Sequence, residues 1–479
     1  MGSKERFYVD IMAMNPEVTG SCNLVIVKLP NGETVRFIVD CGLFQEREYE
    51  ELNQELPFNT EDVNFCLVTH NHVDHTGRIP FMVEKGFYKE IYATETTCKL
   101  MPLALYDNLK VLRDVAKRKN VKCLYKEESV EKTIEHLKPC KINETIKIGK
   151  YIKVTFLSNG HLLGAASILV QVIYPKYEKI NILFSGDYNK KNMFFNVRKI
   201  PAWVRRLPLT VIQESTYGNM DTCEIRKCFK ENILKCIKEN GTVVAPVFSL
   251  GRAQEILYEL KSMQKSKDLD VEVPIYFDGK LAMKYTNLYL KGELEIKNNM
   301  KDFLPENIAF VNKDNREQVL TSKDRKIIVT TSGMGSYGPA QLYIPEYIKR
   351  KGALIHFTGY TAEGTLGANL KNAQHGETVE FGGCLLVKRA EVEYTNEYSA
   401  HAKSDEMIEF LQQFEDLKLV LINHGETKSK KEFSKKVLNE VNTKDVGILG
   451  RSYFFRINPY GLVKTLSTKF DWKIISSIL

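Results

Sequence analysis

Three histidines and one aspartate stand within six consecutive residues: His70, His72, Asp74 and His75. They follow the apolar run 65–68, which has the length and composition of a buried strand. Imidazole nitrogens suit zinc and related first-row ions, and a nearby carboxylate suits a second ion or a bridging position. Two ions about 3.5–4 Å apart can bind both the attacking and the leaving oxygen of a phosphoryl displacement. The cluster therefore predicts a metal site rather than a solvated polar loop.

Four further candidates stand at the ends of other apolar segments: Asp40, His161, Asp187 and His424. In α/β proteins, functional sites assemble beyond the carboxyl ends of strands. A single histidine in such a place is usually structural, but the repeated placement predicts one shared site. Three other histidines match no such position and are predicted to be structural: His136, His356 and His375.

Composition indicates a soluble globular protein. The chain of 479 residues has room for two or three domains, and its 43% hydrophobic and 27% charged residues are ordinary values. No apolar run approaches the roughly 20 residues of a membrane helix, and the N-terminus shows no signal peptide. The ten cysteines form no Cys-x-x-Cys pair. We therefore expect packing thiols in a reducing compartment, a cytoplasmic location and no membrane partner.

The net charge of +8 is mild for a chain of this size. Basic residues cluster at 190–191, 198–206 and 428–436. Any one of these clusters alone is more often solvated surface than a binding site. The first two follow Asp187 closely, so we expect positive potential near the metal site. Such potential would attract a polyanion and would weaken with added salt.

The pattern of elements predicts an α/β protein. Early strands are predicted near 7–13, 23–29 and 34–40, and a helix at 98–119. From about residue 209, strands and helices alternate as far as the strand 353–357, which favours a doubly wound parallel sheet. A last helix at 404–414 and a strand at 418–423 then lead to His424. Distant parts of the chain must therefore meet at one site, with an α/β unit inserted between them.

At this level of detail the chain resembles the β-CASP nucleases of the metallo-β-lactamase superfamily, over essentially its whole length up to about residue 440. Asp40, the His70-x-His72-x-Asp74-His75 cluster, His161 and Asp187 resemble the four superfamily motifs, in order. Three later segments resemble the motifs of the β-CASP branch: Glu214 in 214–218, His401 in 399–401 and His424 in 423–426.

The resemblance implies a fold and a domain order. We expect a metallo-β-lactamase αββα sandwich built from residues 1–208 and 391–479. Residues 209–390 would form the inserted, doubly wound α/β (β-CASP) domain. The segment 451–479 resembles nothing that we can assign, and either packing on the catalytic domain or a dimer contact would suit it.

The resemblance also implies a ligand set. One zinc ion would be bound by His70, His72 and His161, the other by Asp74, His75 and His424, with Asp187 between them. Manganese is the alternative ion, because mixed imidazole and carboxylate ligands accept both. Asp40 would fix the orientation of a ligand imidazole; the alternative for Asp40 is a residue that caps backbone amides.

Catalytic and substrate-binding roles follow in the same way. His401 would be the general acid for the leaving 3′ oxygen, oriented and kept protonated by Glu214, and Asp74 would belong to both the ligand and the catalytic group. For His401, a hydrogen bond at a domain interface is the alternative. We also expect substrate contacts from Ser332, Gly333 and Arg252, against which a plain turn and a structural ion pair are the alternatives.

The implied activity is endonucleolytic hydrolysis of RNA by two zinc ions, giving 3′-hydroxyl and 5′-phosphate ends. A histidine at position 424 resembles the RNA-cleaving branch, whereas the DNA-repair branch tends to have valine. A 5′-to-3′ exoribonuclease of the RNase J type and a small-molecule metallo-hydrolase remain as alternatives. The expected partner is an RNA substrate, and a homodimer or an RNA-processing complex are the two assemblies left open.

Overall fold

The computed structural model describes residues 7–15, 17–29, 31–174, 179–335, 337–361, 364–450, 453–459 and 461–467. The chain divides into two compact units. The first unit comprises Met1–Asn192, Asn196–Thr222 and Ala400–Leu479, and the second comprises Met193–Phe195 and Cys223–Ser399. Strands and helices are numbered in chain order below.

The first unit contains two sheets, each with mixed strand directions. The strands of its first sheet are β1 (Val9–Asn15), β2 (Cys22–Lys28), β3 (Thr34–Val39), β4 (Phe65–Leu67), β5 (Ile91–Thr94), β6 (Leu137–Cys140), β22 (Tyr453–Asn458) and β23 (Gly461–Ser467). Their order across the sheet is β23-β22-β1-β2-β3-β4-β5-β6. Strands β2 and β3 pair antiparallel and form a hairpin.

The strands of the second sheet are β7 (Thr145–Ile148), β8 (Ile152–Ser158), β9 (Ala166–Val172), β10 (Ile180–Phe184), β11 (Pro208–Gln213), β20 (Asp416–Ile422) and β21 (Val446–Ile448). They lie in the order β21-β20-β11-β10-β9-β8-β7. Strands β10, β11 and β20 are parallel neighbours. Strand β20, which leads to His424, therefore runs beside strands that come some two hundred residues earlier in the chain.

Three apolar layers hold the first unit together. One core contains inward side chains of both sheets, such as Val25, Val170 and Leu421. The outer face of each sheet is covered by helices, whose apolar residues complete two further cores. The helices of this unit are α1 (Val73–Thr76), α2 (Ile79–Glu84), α3 (Glu95–Lys119), α4 (Glu127–Glu135), α5 (Ala202–Arg205), α12 (Ser404–Gln412) and α13 (Thr427–Glu440). The arrangement is an αββα sandwich, which confirms the predicted fold class.

Strand β11 corrects one assignment made from the sequence, which placed residues 211–212 at the start of the inserted domain. The strand pairs with both β10 and β20 in the first unit. Leu209 and Val211 face one core of that unit and Ile212 faces another. The second unit accordingly begins at Cys223 and ends at Ser399, whereas the sequence predicted boundaries at 209 and 390. A strand buried on both faces reads the same in either sheet, so its sequence could not assign it.

The second unit is built on a six-stranded, all-parallel sheet. Its strands are β12 (Thr242–Pro246), β13 (Ile275–Asp278), β14 (Ile308–Phe310), β15 (Lys326–Thr330), β16 (Ala353–Phe357) and β19 (Glu391–Tyr394), in the order β14-β13-β15-β12-β16-β19. A separate hairpin is formed by β17 (Thr378–Phe381) and β18 (Cys384–Val387). The helices are α6 (Phe229–Lys238), α7 (Arg252–Lys265), α8 (Lys280–Leu290), α9 (Arg316–Thr321), α10 (Ala340–Tyr347) and α11 (Leu366–Asn372). The predicted doubly wound parallel sheet is thus confirmed.

The C-terminal hairpin had no assignment from the sequence. Strand β22 pairs antiparallel with β1 and so extends the first sheet. Arg456 donates two hydrogen bonds to the Asp10 carboxylate, each 2.7 Å long, and its guanidinium lies over the Tyr8 ring. This part of the segment 451–479 therefore packs on the first unit. Lys469 and Trp472, a basic and an aromatic residue of the same segment, lie outside the described residues.

Two further expectations concern the surroundings of the protein. Across the described ranges, every helix is too short or too polar to span a membrane. All ten cysteines are free thiols, and half of them are buried. The five buried thiols fit the expected packing role, whereas Cys223 and Cys384 are exposed.

Candidate metal centre

The predicted ligands are positioned by strands whose carboxyl ends meet at one edge of the sandwich. His70 follows β4, His161 follows β8 and Asp187 follows β10. Strand β9 is antiparallel to both β8 and β10, so those two strands point in the same direction and their following loops lie at the same edge. His424 follows β20, which is parallel to them through β11.

Three groups of donor atoms result; the third joins Asp187 to Glu214 and His401, and the other two consist of predicted ligands. The first contains His70, His72, His161 and Asp187, and the second contains Asp74, His75, Asp187 and His424. Within each group, one donor atom of every residue lies within 4.8 Å of the others. Asp187 is the residue common to both groups. The structure therefore brings together all seven residues that the sequence proposed as ligands.

The spacing within the first group suits a tetrahedral ion. His72 Nδ1 lies 3.2 Å from His70 Nε2 and 3.1 Å from His161 Nε2. Donors placed about 2.0–2.1 Å from one zinc ion are separated by roughly 3.3 Å in a tetrahedral arrangement. Neutral imidazole nitrogens at such distances would repel one another through their lone pairs unless a cation or a proton lay between them.

Buried polar atoms without hydrogen-bond partners also indicate that a cation belongs at this site. His75 Nε2, His424 Nε2 and Asp187 Oδ1 are buried and make no hydrogen bond within the described part of the chain. Burial lowers the pKa of His70 well below its usual value and that of His72 to about 4, so both imidazoles are neutral at neutral pH. Neutral imidazoles are the form that binds a metal. The residues therefore fit divalent ions.

Negative charge concentrates on the side of the second group. Burial lowers the pKa of His75, but the Asp187 and Asp40 carboxylates outweigh burial and raise the pKa well above its ordinary value. This site thus favours a positive charge even though it is buried. A divalent cation supplies more of that charge than a proton does, and it would take the proton's place on Nε2.

Asp40 orients His75 through a short chain of hydrogen bonds. Asp40 Oδ2 lies 2.8 Å from His75 Nδ1, and Thr69 donates to both carboxylate oxygens, through its hydroxyl at 2.7 Å and its amide at 2.8 Å. Because the Thr69 hydroxyl donates to Asp40, it accepts from His70 Nδ1 at 3.1 Å. Both imidazoles consequently carry their proton on Nδ1 and turn Nε2 towards Asp187, at 3.6 Å for His70 and 3.2 Å for His75.

His401 forms a separate couple with Glu214. His401 Nδ1 lies 3.2 and 3.1 Å from the two Glu214 oxygens, and Nε2 lies 3.9 Å from Asp187 Oδ2. Backbone amides of Tyr188 and Thr216 hold the Glu214 carboxylate at 2.9 and 3.3 Å. Burial lowers the pKa of His401, but the charges of Glu214 and Asp187 raise it more, so the imidazole keeps its proton more readily. His401 therefore lies beside the ligands with a hydrogen bond that fixes its ring.

Three residues of the site gave no clear signal in the sequence. Thr69 connects Asp40 to two ligands, and the Thr216 hydroxyl lies 3.2 Å from His424 Nδ1. At Gly42, a Cβ atom would stand 1.5 Å from the Asp74 carbonyl oxygen, so only glycine lets this loop pass the ligand segment. Thr69 could have been suspected from its place just before the cluster, but the other two depend on contacts that are distant in sequence.

The expected substrate-binding residues all lie in the second unit. Arg252 is buried and its Nη1 donates to Glu255 Oε2 at 2.6 Å, the ion pair that was the alternative reading. The Ser332 amide donates to the Tyr337 carbonyl at 3.1 Å. This amide is therefore not free to bind a phosphate. At Gly333, a Cβ atom would stand 2.9 Å from the Phe248 ring. For these residues the local contacts favour a structural role. His356 is buried in β16 and lies outside the donor groups, as predicted.

Comparisons with known families agree with this geometry. The profile of the metallo-beta-lactamase superfamily matches residues 18–207, the Beta-Casp domain matches 253–370, and a Zn-dependent metallo-hydrolase RNA specificity domain matches 386–446. The three profiles together follow the order of the two units along the chain. They correspond to the resemblance seen in the motifs.

Individual relatives support the same conclusion. An RNase J-like protein of Methanocaldococcus jannaschii is 31% identical over 422 residues, covering 85% of this chain and 91% of the relative. Ribonuclease TTHA0252 of Thermus thermophilus is 29% identical, covering 86% and 91%. Transcription termination factor FttA of Methanosarcina mazei is 29% identical and covers 82% of this chain, which spans 64% of that longer protein. The chain belongs to the β-CASP family of metallo-β-lactamase-fold ribonucleases.

A substitution at Asp40 tests how the site is oriented. Asp40→Asn keeps the shape but removes the charged acceptor of His75 Nδ1, and we expect about 10–100-fold weaker metal binding. Competition with a chromogenic chelator measures the affinity. Asp416→Asn is the matched control, because Asp416 is half exposed and its partner is Lys418 in the same strand. Equal affinity in Asp40→Asn and the unaltered protein would show that Asp40 serves only to cap backbone amides.

Proposed function

We propose that this protein is a two-zinc endoribonuclease, which hydrolyses RNA phosphodiester bonds internally and leaves 3′-hydroxyl and 5′-phosphate ends. The observation that supports this most is the pair of donor groups sharing Asp187, with a protonatable His401 held beside them. Family membership supports a ribonuclease, and the geometry adds which residues would act.

The ligand roles follow the two donor groups. His70, His72 and His161 would bind one ion, Asp74, His75 and His424 the other, and Asp187 both. Bound divalent ions supply Lewis acidity, which neutralises phosphate oxygens and makes water a competent nucleophile near neutral pH. Three neutral nitrogens in the first group favour zinc, while the carboxylates of the second keep manganese as the alternative.

His401 would serve as the general acid. When water attacks the phosphorus, the bond from phosphorus to the 3′ oxygen breaks, and that oxygen must gain a proton. His401 can give the proton from Nε2, because Glu214 holds the Nδ1 side of the ring. The upstream fragment then ends in a 3′-hydroxyl and the downstream fragment keeps the 5′-phosphate. After product release, His401 regains its proton from solvent.

The choice of RNA rests on resemblance. Histidine at position 424 is similar to the RNA-cleaving branch, and the relatives named above include two ribonucleases. An RNase J type of 5′-to-3′ exonuclease is the second candidate, since one relative is named RNase J-like. A small-molecule hydrolase with the same ions would need neither the second unit nor the couple of His401 with Glu214.

Removal of a ligand should abolish activity. Asp187→Ala removes the carboxylate shared by both donor groups, so we expect loss of both ions and of RNA cleavage; His70→Ala should lose cleavage and one ion. Metal content by mass spectrometry and cleavage of a labelled RNA measure the two effects. His136→Ala is the control, since His136 lies outside both groups. Full cleavage by either ligand variant would reject the mechanism.

The role of His401 has a distinct signature. His401→Ala should lower kcat by about 100–10,000-fold while both ions stay bound, the usual contribution of general acid–base catalysis. A substrate with sulfur in place of the 3′ bridging oxygen releases a thiolate, which needs no proton because its thiol has a pKa of about 8.5. The variant should therefore cleave this substrate nearly as fast as the unaltered protein does. An equal loss on both substrates would mean that His401 is not the acid.

Circular RNA separates the two modes of cleavage. An endonuclease converts a circle into a linear molecule of the same length, whereas a 5′-to-3′ exonuclease has no end from which to start. We expect linear product from circular RNA and little from a single-stranded DNA circle of the same sequence. The new ends should be substrates for a ligase that needs 5′-phosphate and for a poly(A) polymerase that needs 3′-hydroxyl. Intact circles beside degraded linear RNA would favour the exonuclease.

A further inference from the structure

Helix α13 carries lysines that its own stability does not explain. It begins at Thr427, three residues after the ligand His424, and its first turn contains no acidic residue. Cations near a helix N-terminus oppose the helix dipole, which favours acidic residues there and basic ones at the other end. In α13 the first turn contains Lys428 and Lys430 and the last turn has no basic residue, although the N-cap residue Glu426 is acidic. Local rules are most often broken where function requires it.

Packing fixes which lysines face solvent. Phe433 and Val437 are buried in the outer core of the second sheet, and the Ser429 hydroxyl donates to the Ser215 carbonyl. Three lysines lie on the opposite face, all of them exposed, with the i, i+3 and i+7 spacing of one helical stripe: Lys428, Lys431 and Lys435.

The charges of this stripe are not neutralised by neighbours. Lys428 lies 4.0 Å from Glu432, at the limit of an ion pair, with 77% of its side chain exposed. Lys431 and Lys435 form no ion pair with any described residue. By contrast, the two lysines that border the exposed face of the helix form ion pairs, Lys430 with Glu17 and Lys436 with Asp221. The stripe therefore keeps an excess of positive charge, which only the exposed Glu432 beside Lys428 offsets.

Hydrogen bonds also connect helix α13 with the candidate metal centre. Ser215, which accepts from Ser429, donates its amide to the His424 carbonyl at 2.9 Å. Ser215 stands between Glu214 and Thr216, both of which contact the site. One layer of hydrogen bonds thus connects the first turn of α13 with a ligand and with the partner of His401.

We propose that Lys428, Lys431 and Lys435 bind the phosphate backbone of a single-stranded RNA beside the cleaved bond. This rests on the proposed ribonuclease function and adds a surface to it. Exposed lysines suit phosphates as point charges, and the stripe spans about 10 Å along the helix axis, at 1.5 Å per residue. Contacts of this kind position the chain without reading its sequence.

Salt dependence of binding tests the surface separately from cleavage. Affinity for a phosphorothioate RNA strand, which resists hydrolysis, is measured over a series of salt concentrations with the zinc-loaded full chain. Each phosphate contact to a single strand contributes about 0.7 to the slope of log affinity against log salt. The triple variant K428Q/K431Q/K435Q should lose about 2 from that slope. The variant K428R/K431R/K435R keeps the charges and should keep the slope.

A remote triple variant is the matched control. Lys141, Lys147 and Lys150 are exposed lysines at strand β7, the edge of the second sheet opposite to the one that α13 contacts. K141Q/K147Q/K150Q removes the same charge and should leave the slope unchanged. An unchanged slope in the α13 variant, an equal fall in the control, or a zinc-loaded chain that does not bind RNA would overturn the proposal. If RNA is bound through α13 but never cut, the surface stands and the catalytic function fails.

Discussion

The buried Asp187 carboxylate faces two groups of imidazoles, and the residues around it must stabilise its negative charge. Burial alone raises the pKa of Asp187, but His424, His75 and His401 lower it well below its ordinary value, so the group stays ionised. An ionised carboxylate without water is costly unless positive charge surrounds it. Divalent ions on both sides would supply that positive charge. The same constraint explains why the neighbouring histidines turn their nitrogens inward.

The fold brings the candidate ligands together at one edge of the sandwich. The candidate ligands come from four loops spread between residues 70 and 424, and strand directions place these loops at one edge. Close approach of the loops needs glycine at Gly42, where any side chain would strike the Asp74 backbone. Two positions of the site, Asp40 and the predicted ligand His424, adopt left-handed φ angles of 61° and 46°. Non-glycine residues rarely do so, and such strain is typical of functional sites.

The sequence predicted which residues would come together in the two donor groups, because many of them are close in sequence and their side chains suit few other roles. It also predicted the αββα sandwich and the parallel sheet of the second unit. It failed at β11, since a strand buried on both faces carries no mark of the sheet it joins. Thr69 and Gly42 were missed because their importance lies in partners far along the chain. A substrate contact by Ser332 stays a prediction, and the hydrogen bond of its amide to the Tyr337 carbonyl could not be foreseen from the sequence.

The central claim is that Asp187 stands between two metal ions, and anomalous diffraction at the zinc edge tests it most directly. Crystals of the full chain loaded with zinc should show two peaks about 3.5–4 Å apart, one beside His70, His72 and His161 and the other beside His75 and His424. A single peak, or an intact fold with no ion next to Asp187, would contradict the account.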